Sequence, residues 1–232
     1  MKYLFILILS VALLSSVCLA VEQLDLKDDK VRLSYSVGFQ VGGDFRHQGI
    51  EIKPKVILQG VQDALAGNEP RMTADEMRST LVDLQKTVAA AQKQKLKAQA
   101  ERNRATGMAF LAENGKKEGV NTLASGLQYK VIKEGTGRTP GKTDTVTVHY
   151  RGTLINGTEF DSSYSRGNPA TFGVSRVISG WTEALQLMKE GATWQLFIPP
   201  DLAYGEQGAG KIEPNSTLIF DVELISIQSS NA

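Results

Sequence analysis

The chain has 232 residues, with 26 Lys+Arg against 25 Asp+Glu, so no global charge bias draws it to nucleic acid or to an anionic membrane. Its single cysteine, Cys18, falls in a stretch that reads as a cleaved leader, which leaves the mature chain without disulfides or thiol chemistry. Function therefore has to come from local features.

The leader is residues 1–20: Lys2, the apolar run Leu4 to Leu14, Ser15-Ser16, then the small-x-small ending Cys18-Leu19-Ala20 of a secretory signal peptide. The apolar run is too short for a permanent membrane anchor. A rival reading makes Cys18 a lipid-attachment site, although Val17 stands where such sites usually want a small residue.

Residues 21–72 read as a small helical domain. Leu24 to Gln48 is helical in pattern, with Val31, Tyr35, Gly38, Gly42 and Phe45 on one stripe. Gly38 and Gly42 lie one turn apart; each costs a helix about 1 kcal/mol relative to alanine, a cost that makes sense where another backbone comes close. The alternative is an ordinary weak amphipathic helix that tolerates them. After a turn at Gly49 to Pro54, a second helix is predicted over Lys55 to Ala66, ended by Gly67-Asn68-Glu69-Pro70. Two such helices hold too few apolar residues for a core of their own and call for a partner.

Thr73-Ala74-Asp75-Glu76 is a capping box and opens a long helix within residues 73–118. It runs to about Ala112 or beyond, roughly 60 Å at 1.5 Å per residue. Met77, Leu81, Leu84, Val88 and Ala91 form a seam that then fades. From Gln92 to Arg104 the chain is Gln, Lys, Ala and Arg with little else, which predicts a solvated stalk that buries almost nothing. Bending is expected at Gly107 or near Gly115 and Gly119.

From Leu127 the period turns from helical to alternating, over Leu127 to Ile132, Val146 to Leu154, Trp194 to Ile198 and Thr217 to Ile227. Asn156-Gly157 is the strongest short hairpin signal, and one helix interrupts at Trp181 to Met188. The fold class is α+β: an N-terminal all-helical domain, a long connecting helix, and a C-terminal antiparallel sheet with one short helix over residues 119–232. With the pocket-forming aromatics all in this half, the fragment from Leu123 onward is expected to fold and work alone.

Between Val146 and Phe220 the aromatics are dense, yet no nucleophile–base pair, metal-ligand cluster or phosphate loop accompanies them, so no metal and no cofactor is predicted. Chemistry here has to come from a shaped apolar pocket. Any one of these aromatics also reads as an ordinary core residue. Asp161 differs, because a carboxylate directly after Phe160 in an apolar setting needs a partner, with Tyr150 or Arg166 as the candidates.

Five blocks carry a family resemblance: Val148-His149-Tyr150-Arg151-Gly152, Phe160-Asp161-Ser162-Ser163, Val177-Ile178-Ser179-Gly180-Trp181, Leu202-Ala203-Tyr204-Gly205 and Leu218 to Leu224. In this order they resemble the FKBP-type peptidyl-prolyl cis-trans isomerases, and with the leader, two short helices and long helix the plan resembles the bacterial Mip-like members. The resemblance implies Trp181 as pocket floor, with Tyr150, Phe160, Phe172, Val177, Ile178, Ile212 and Phe220 around it. It implies that Tyr204 offers its hydroxyl to a substrate carbonyl, that the Ile178 amide holds the chain, and that Asp161 faces the twisted amide. Asp161, Tyr204, Tyr150 and Phe160 are thus the catalytic candidates. It further implies proline-containing polypeptides as substrates, macrolide inhibitors of the rapamycin type as ligands, a homodimer joined through the N-terminal helices, and a place in the periplasm or at the outer membrane or cell surface. Two departures, Ala170 in place of an aromatic and the short loop Ala209-Gly210-Lys211, are expected to alter the pocket's rim. The competing function is a proline-peptide binding module or holdase chaperone with incidental turnover.

Overall fold

The structure is a computed structural model and describes residues 24–229; the leader and Cys18 lie outside the described residues. The chain divides into two compact units at Leu81–Val82.

In the first unit, helix α1 spans Asp29–Gln48. It starts later than its apolar pattern because Asp28 caps it, its carboxylate accepting from the amides of Lys30 (2.7 Å) and Val31 (3.0 Å). Gly49 ends it in the left-handed conformation, φ 68°. Helix α2, Pro54–Leu65, opens on a proline that needs no amide partner there. Helix α3 is Ala74–Asn114, 41 residues, and the capping box is formed: Thr73 N donates to Glu76 Oε2 (2.8 Å) and Glu76 N to Thr73 Oγ1 (3.2 Å). Neither α1 nor α2 has a buried residue. Phe39 is 70% exposed and Leu65 84%, and a Cβ added at Gly38 or Gly42 would meet nothing within 4 Å beyond its own helix. No helix among the described residues is long and apolar enough to cross a membrane.

The second unit is built on antiparallel strands: β1 Val120–Thr122, β2 Gln128–Lys133, β3 Thr145–Leu154, β4 Glu159–Ser162, β5 Ala170–Gly173, β6 Thr193–Ile198 and β7 Leu218–Gln228. Their order is β1-β2-β6-β7-β3-β4, with β5 pairing the first half of the same β3 edge that β4 takes at its far end. The short helix α4, Ser179–Leu185, lies against one face. Alternation sets that face: Val146, Val148 and Tyr150 of β3, Trp194, Leu196 and Ile198 of β6, and Leu218, Phe220, Val222 and Leu224 of β7 are buried in one cluster with Trp181, Ala184 and Leu185. The Asn156-Gly157 hairpin forms, but only Gly157 is left-handed (φ 85°), so it is not the two-residue mirror turn. Asn156 instead turns its side chain inward to accept from Thr158 N at 3.0 Å.

The end of α3 departs from a free stalk. Phe197 lies outside the core cluster, and Phe110 covers it with ring centroids 6.0 Å apart. Gly107 is buried; a Cβ there would stand 2.3 Å from Thr217 Oγ1, so glycine is what lets the helix backbone approach the start of β7. The Asn114 amide donates to Gln128 Oε1 (3.0 Å), and Gln128 Nε2 donates to Leu111 O (2.8 Å). Farther up, Gln99 and Asn103 hold Glu213 and Pro214. Composition predicted a solvated helix over Gln92 to Arg104 because the contacts of Gln99 and Asn103 are few and polar, leaving no apolar stripe to read.

Candidate active site

Strand β3 carries Tyr150 at the bottom of the site, and Ser163 fixes it: its hydroxyl accepts from Tyr150 N (2.8 Å) and donates to Tyr150 O (3.2 Å) while fully buried. Two residues on, Gly152 lies opposite Phe220 in the β3–β7 pairing. A Cβ at Gly152 would come within 2.7 Å of the Phe160 ring and 2.6 Å of the Phe220 ring, so its hydrogen makes room for two aromatics. From the other side, Gly180 does the same for α4: a Cβ would meet Ile198 Cγ2 at 2.6 Å. That close seating brings Trp181 to the floor.

The rings then interlock edge to face. Trp181 stands at 5.3 Å and 89° to Tyr150, 5.2 Å and 82° to Phe220, and 6.0 Å and 88° to Phe172. Phe160 meets Phe220 at 5.4 Å and 84°. Each such pair adds about 0.5–1.5 kcal/mol beyond area burial, so the cavity is held open by rigid walls. Its volume is about 710 Å³.

All ten residues singled out from the sequence line this one cavity: Tyr150, Phe160, Asp161, Phe172, Val177, Ile178, Trp181, Tyr204, Ile212 and Phe220. Of the two departures, Ala209, Gly210 and Lys211 do line it. Ala170 does not; it sits in β5 opposite Val148, packed against the core, so its small side chain bears on packing and leaves the rim alone. Gly152, Gly180 and Ser163 shape the site without lining it, and Arg176 lines it; nothing in a single sequence distinguishes such glycines from turn glycines. Among the described residues no group of three or more His, Cys, Asp and Glu is placed to hold a metal.

Asp161 has both of its candidate partners. Tyr150 Oη donates to Asp161 Oδ2 at 2.5 Å, Arg166 Nη1 donates to Asp161 Oδ1, and Arg166 Nη2 donates to Tyr150 Oη at 2.7 Å. The guanidinium also lies over the Tyr150 ring, 5.4 Å from its centre. Burial would raise the Asp161 pKa, but the bonds from Tyr150 and Arg166 and the charge of Arg166 outweigh it and hold the carboxyl below its ordinary range. Burial, and then the bond to Asp161, push the Tyr150 hydroxyl up. Asp161 is therefore a fixed anion at neutral pH and Tyr150 a fixed donor to it.

Several donors of the lining residues are left over, among them the buried Trp181 Nε1–H. The Ile178 amide and the Tyr204 hydroxyl have no hydrogen-bond partner among the described residues, and Tyr204 is 40% exposed. The loop carrying Tyr204 is closed on itself: Asn215 N donates to Gly205 O (2.8 Å), and Ala209 and Ile212 exchange two bonds of 2.8 Å. Gly208, φ 66°, makes that turn, since a Cβ there would sit 2.3 Å from Ile212 O.

The cavity thus combines interlocked aromatic walls, unpartnered donors and a tied-up carboxylate. The model for "FKBP-type peptidyl-prolyl cis-trans isomerase" matches residues 136–225, and that for the "domain amino terminal to FKBP-type peptidyl-prolyl isomerase" matches residues 30–131. The chain belongs to the FKBP-type peptidyl-prolyl cis-trans isomerases, among their Mip-like members, and is an enzyme of that type. It is 51% identical over 229 residues to "Peptidyl-prolyl cis-trans isomerase Mip" of Coxiella burnetii, covering 98% of this chain and 99% of that one. It is 48% identical over 218 residues to "Outer membrane protein MIP" of Legionella longbeachae, 94% of each. The crystal structure of FkpA from Escherichia coli, 39% identical, superposes with a TM-score of 0.74 over 88% of this chain and 99% of that chain.

Proposed function

We propose that this isomerase assists the folding of exported proteins in the bacterial envelope, and that it works by non-covalent stabilisation of the twisted X–Pro amide in the aromatic cavity. Rotation about the bond costs 18–20 kcal/mol because amide resonance is lost. The twisted amide has a less polar carbonyl and a more pyramidal nitrogen than the planar one, which water solvates better. A dry apolar wall therefore favours the transition state over the ground state.

The observation that carries this reading is a pair of unpartnered donors, Ile178 N–H and Tyr204 Oη, in the wall of a cavity lined largely by aromatic and aliphatic side chains. They fit two carbonyls of an extended segment on either side of a proline ring seated over Trp181. Asp161 neither attacks nor shuttles a proton. Held by Tyr150 and Arg166, it sets the angle of the Tyr150 ring and presents a constant negative edge to the rotating amide. Envelope placement rests on the names of the relatives and on the leader reading. The homodimer rests on the resemblance and on the exposed apolar residues of α1 and α2, such as Leu33 (66%) and Phe39 (70%).

The test is turnover of a short proline peptide by the mature protein. Tyr204→Phe should lower kcat/KM by about tenfold, the worth of one hydrogen bond of 1–1.5 kcal/mol. Undiminished turnover in Tyr204→Phe and in Trp181→Leu would place the reaction elsewhere. A binding module would instead retain the peptide without accelerating its isomerisation.

A further inference from the structure

The side chains lining the cavity include three with charge: Asp161, Arg176 and Lys211. Asp161 is satisfied by Arg166, a residue outside the lining, and by Tyr150. The two cations have no ion pair and no hydrogen bond from their side chains among the described residues.

They stand on different loops. Arg176 ends the 3-10 turn Val174–Arg176 immediately before Val177 and Ile178, and its stem lies along Gly173, whose added Cβ would be 3.4 Å from Arg176 Cδ. Lys211 precedes Ile212 in the loop that Gly208 turns back on itself. The acid nearest to Lys211 in sequence, Glu213, is occupied elsewhere: its carboxylate accepts from Gln99 Nε2 (3.0 Å) and Asn103 Nδ2 (3.3 Å) of α3. The helix thus holds one of the loop's two acids, Glu206 being the other, and no acid forms an ion pair with Lys211 among the described residues.

We infer that Arg176 and Lys211 make this cavity select proline segments that carry an acidic side chain next to the proline. The inference rests on the reading of the cavity as the substrate site. A bound peptide replaces water over the cavity with apolar chain, which lowers the local dielectric and strengthens the attraction of two uncompensated cations for a carboxylate at the rim. A basic neighbour to the proline meets repulsion from the same two groups, so selection works by both signs. Because both head groups are exposed, the effect is moderate and screened by salt.

The experiment uses the mature protein and two peptide series, with Glu, Gln, Lys or Leu placed either before or after the proline. At low salt, kcat/KM for Glu should exceed that for its neutral isostere Gln by about fivefold in at least one series, with Lys below Gln. About 0.5 M NaCl should compress that ratio toward one. The double variant Arg176→Gln, Lys211→Gln should abolish the Glu preference at low salt, read as the Glu-to-Gln ratio within each variant, so that any general change in turnover cancels. Arg176→Lys should keep it. Ratios within twofold of one in both series, or a Glu preference untouched by the double variant, overturn the inference while leaving the substrate site standing. If neutral peptides are not turned over at all, the reading of the site fails first.

Discussion

Helices α1 and α2 and the C-terminal sheet show two ways of using apolar residues. In the sheet unit alternate residues of β3, β6 and the first part of β7 feed one closed cluster, and residues such as Val148, Leu218 and Val222 are fully buried. In α1 and α2 apolar residues are as regularly spaced, yet none is buried. A stripe of Leu33, Val37 and Val41 exposed to water forgoes about 25 cal/mol for each Å² it leaves unburied. The sheet unit satisfies its pattern within one chain. The helices do not, and it is the pattern left open, more than any charge or motif, that supports a second copy as its cover. Helix α3 links the two cases, since its first residues share the openness of α1 while Gly107 and Asn114 are buried in the sheet unit.

The largest effect should come from cutting α3 at the wrong place. A fragment starting at Val82 keeps Phe110 over Phe197, Asn114 on Gln128 and Gly107 on Thr217. A fragment starting at Leu123 loses all three, and with them several kcal/mol, at about 1 kcal/mol for each buried hydrogen bond and more for the aromatic cover. We expect the Val82 fragment to melt as the full chain's sheet unit does. The Leu123 fragment should melt at least 10 °C lower and turn over peptides only when kept cold. Equal melting temperatures would restore the free-stalk picture of α3.

Next in size is Gly107→Val. Its branched side chain meets Thr217 where even a Cβ would lie 2.3 Å from Oγ1, so overpacking should cost about 2–3 kcal/mol in chemical denaturation of the sheet unit. At Gly38, by contrast, an added Cβ would meet nothing within 4 Å beyond its own helix in the single chain, and Gly38→Leu should leave that unfolding transition in place. If α1 faces a second copy, Gly38→Leu weakens self-association in sedimentation and leaves peptide turnover as it was. If sedimentation shows a monomer for the unaltered protein at micromolar concentration, the open stripes need another explanation.

Periodicity and punctuation explain why so much of this was legible. The capping box at Thr73, the alternation in β3 and β7 and the Asn156-Gly157 turn are local signals, and each sits where local energetics put it. The residues of the candidate site were legible because aromatics and a lone Asp161 recur in a family order, not because one sequence reveals convergence; Tyr150 and Phe220 meet only through the register of β3 on β7. What stayed hidden depends on contacts between residues far apart in the chain. Gly152 and Gly107 look like any other glycines until Phe160, Phe220 and Thr217 are brought beside them. The Gln99–Asn103 grip on Glu213 joins residues 114 and 110 positions apart and has no periodic trace in a stretch of Gln, Lys and Ala.

The smallest effect expected is in pH dependence, and it separates the role of Asp161 as a fixed anion from that of a proton carrier. Its carboxyl is held below the ordinary range, so the stability it contributes is present above the unfolded carboxylate value of about 3.9 and is lost as pH falls through the lower folded value. The Tyr150 hydroxyl is pushed up, so its share is present below about pH 10 and is lost as pH rises beyond. Between roughly pH 5 and 9 neither group changes charge, and no histidine lines the cavity. Turnover measured across that window should therefore be flat within about twofold. Asp161→Asn should keep the flat window, since the amide oxygen still accepts from Tyr150, with turnover down by about tenfold or less. It should also make stability below pH 4 less sensitive to acid than in the unaltered protein, because the group that titrates there is gone. A sloping profile near neutrality that Asp161→Asn removes would mean that the carboxyl exchanges a proton during the reaction, and the fixed-anion account would have to be given up.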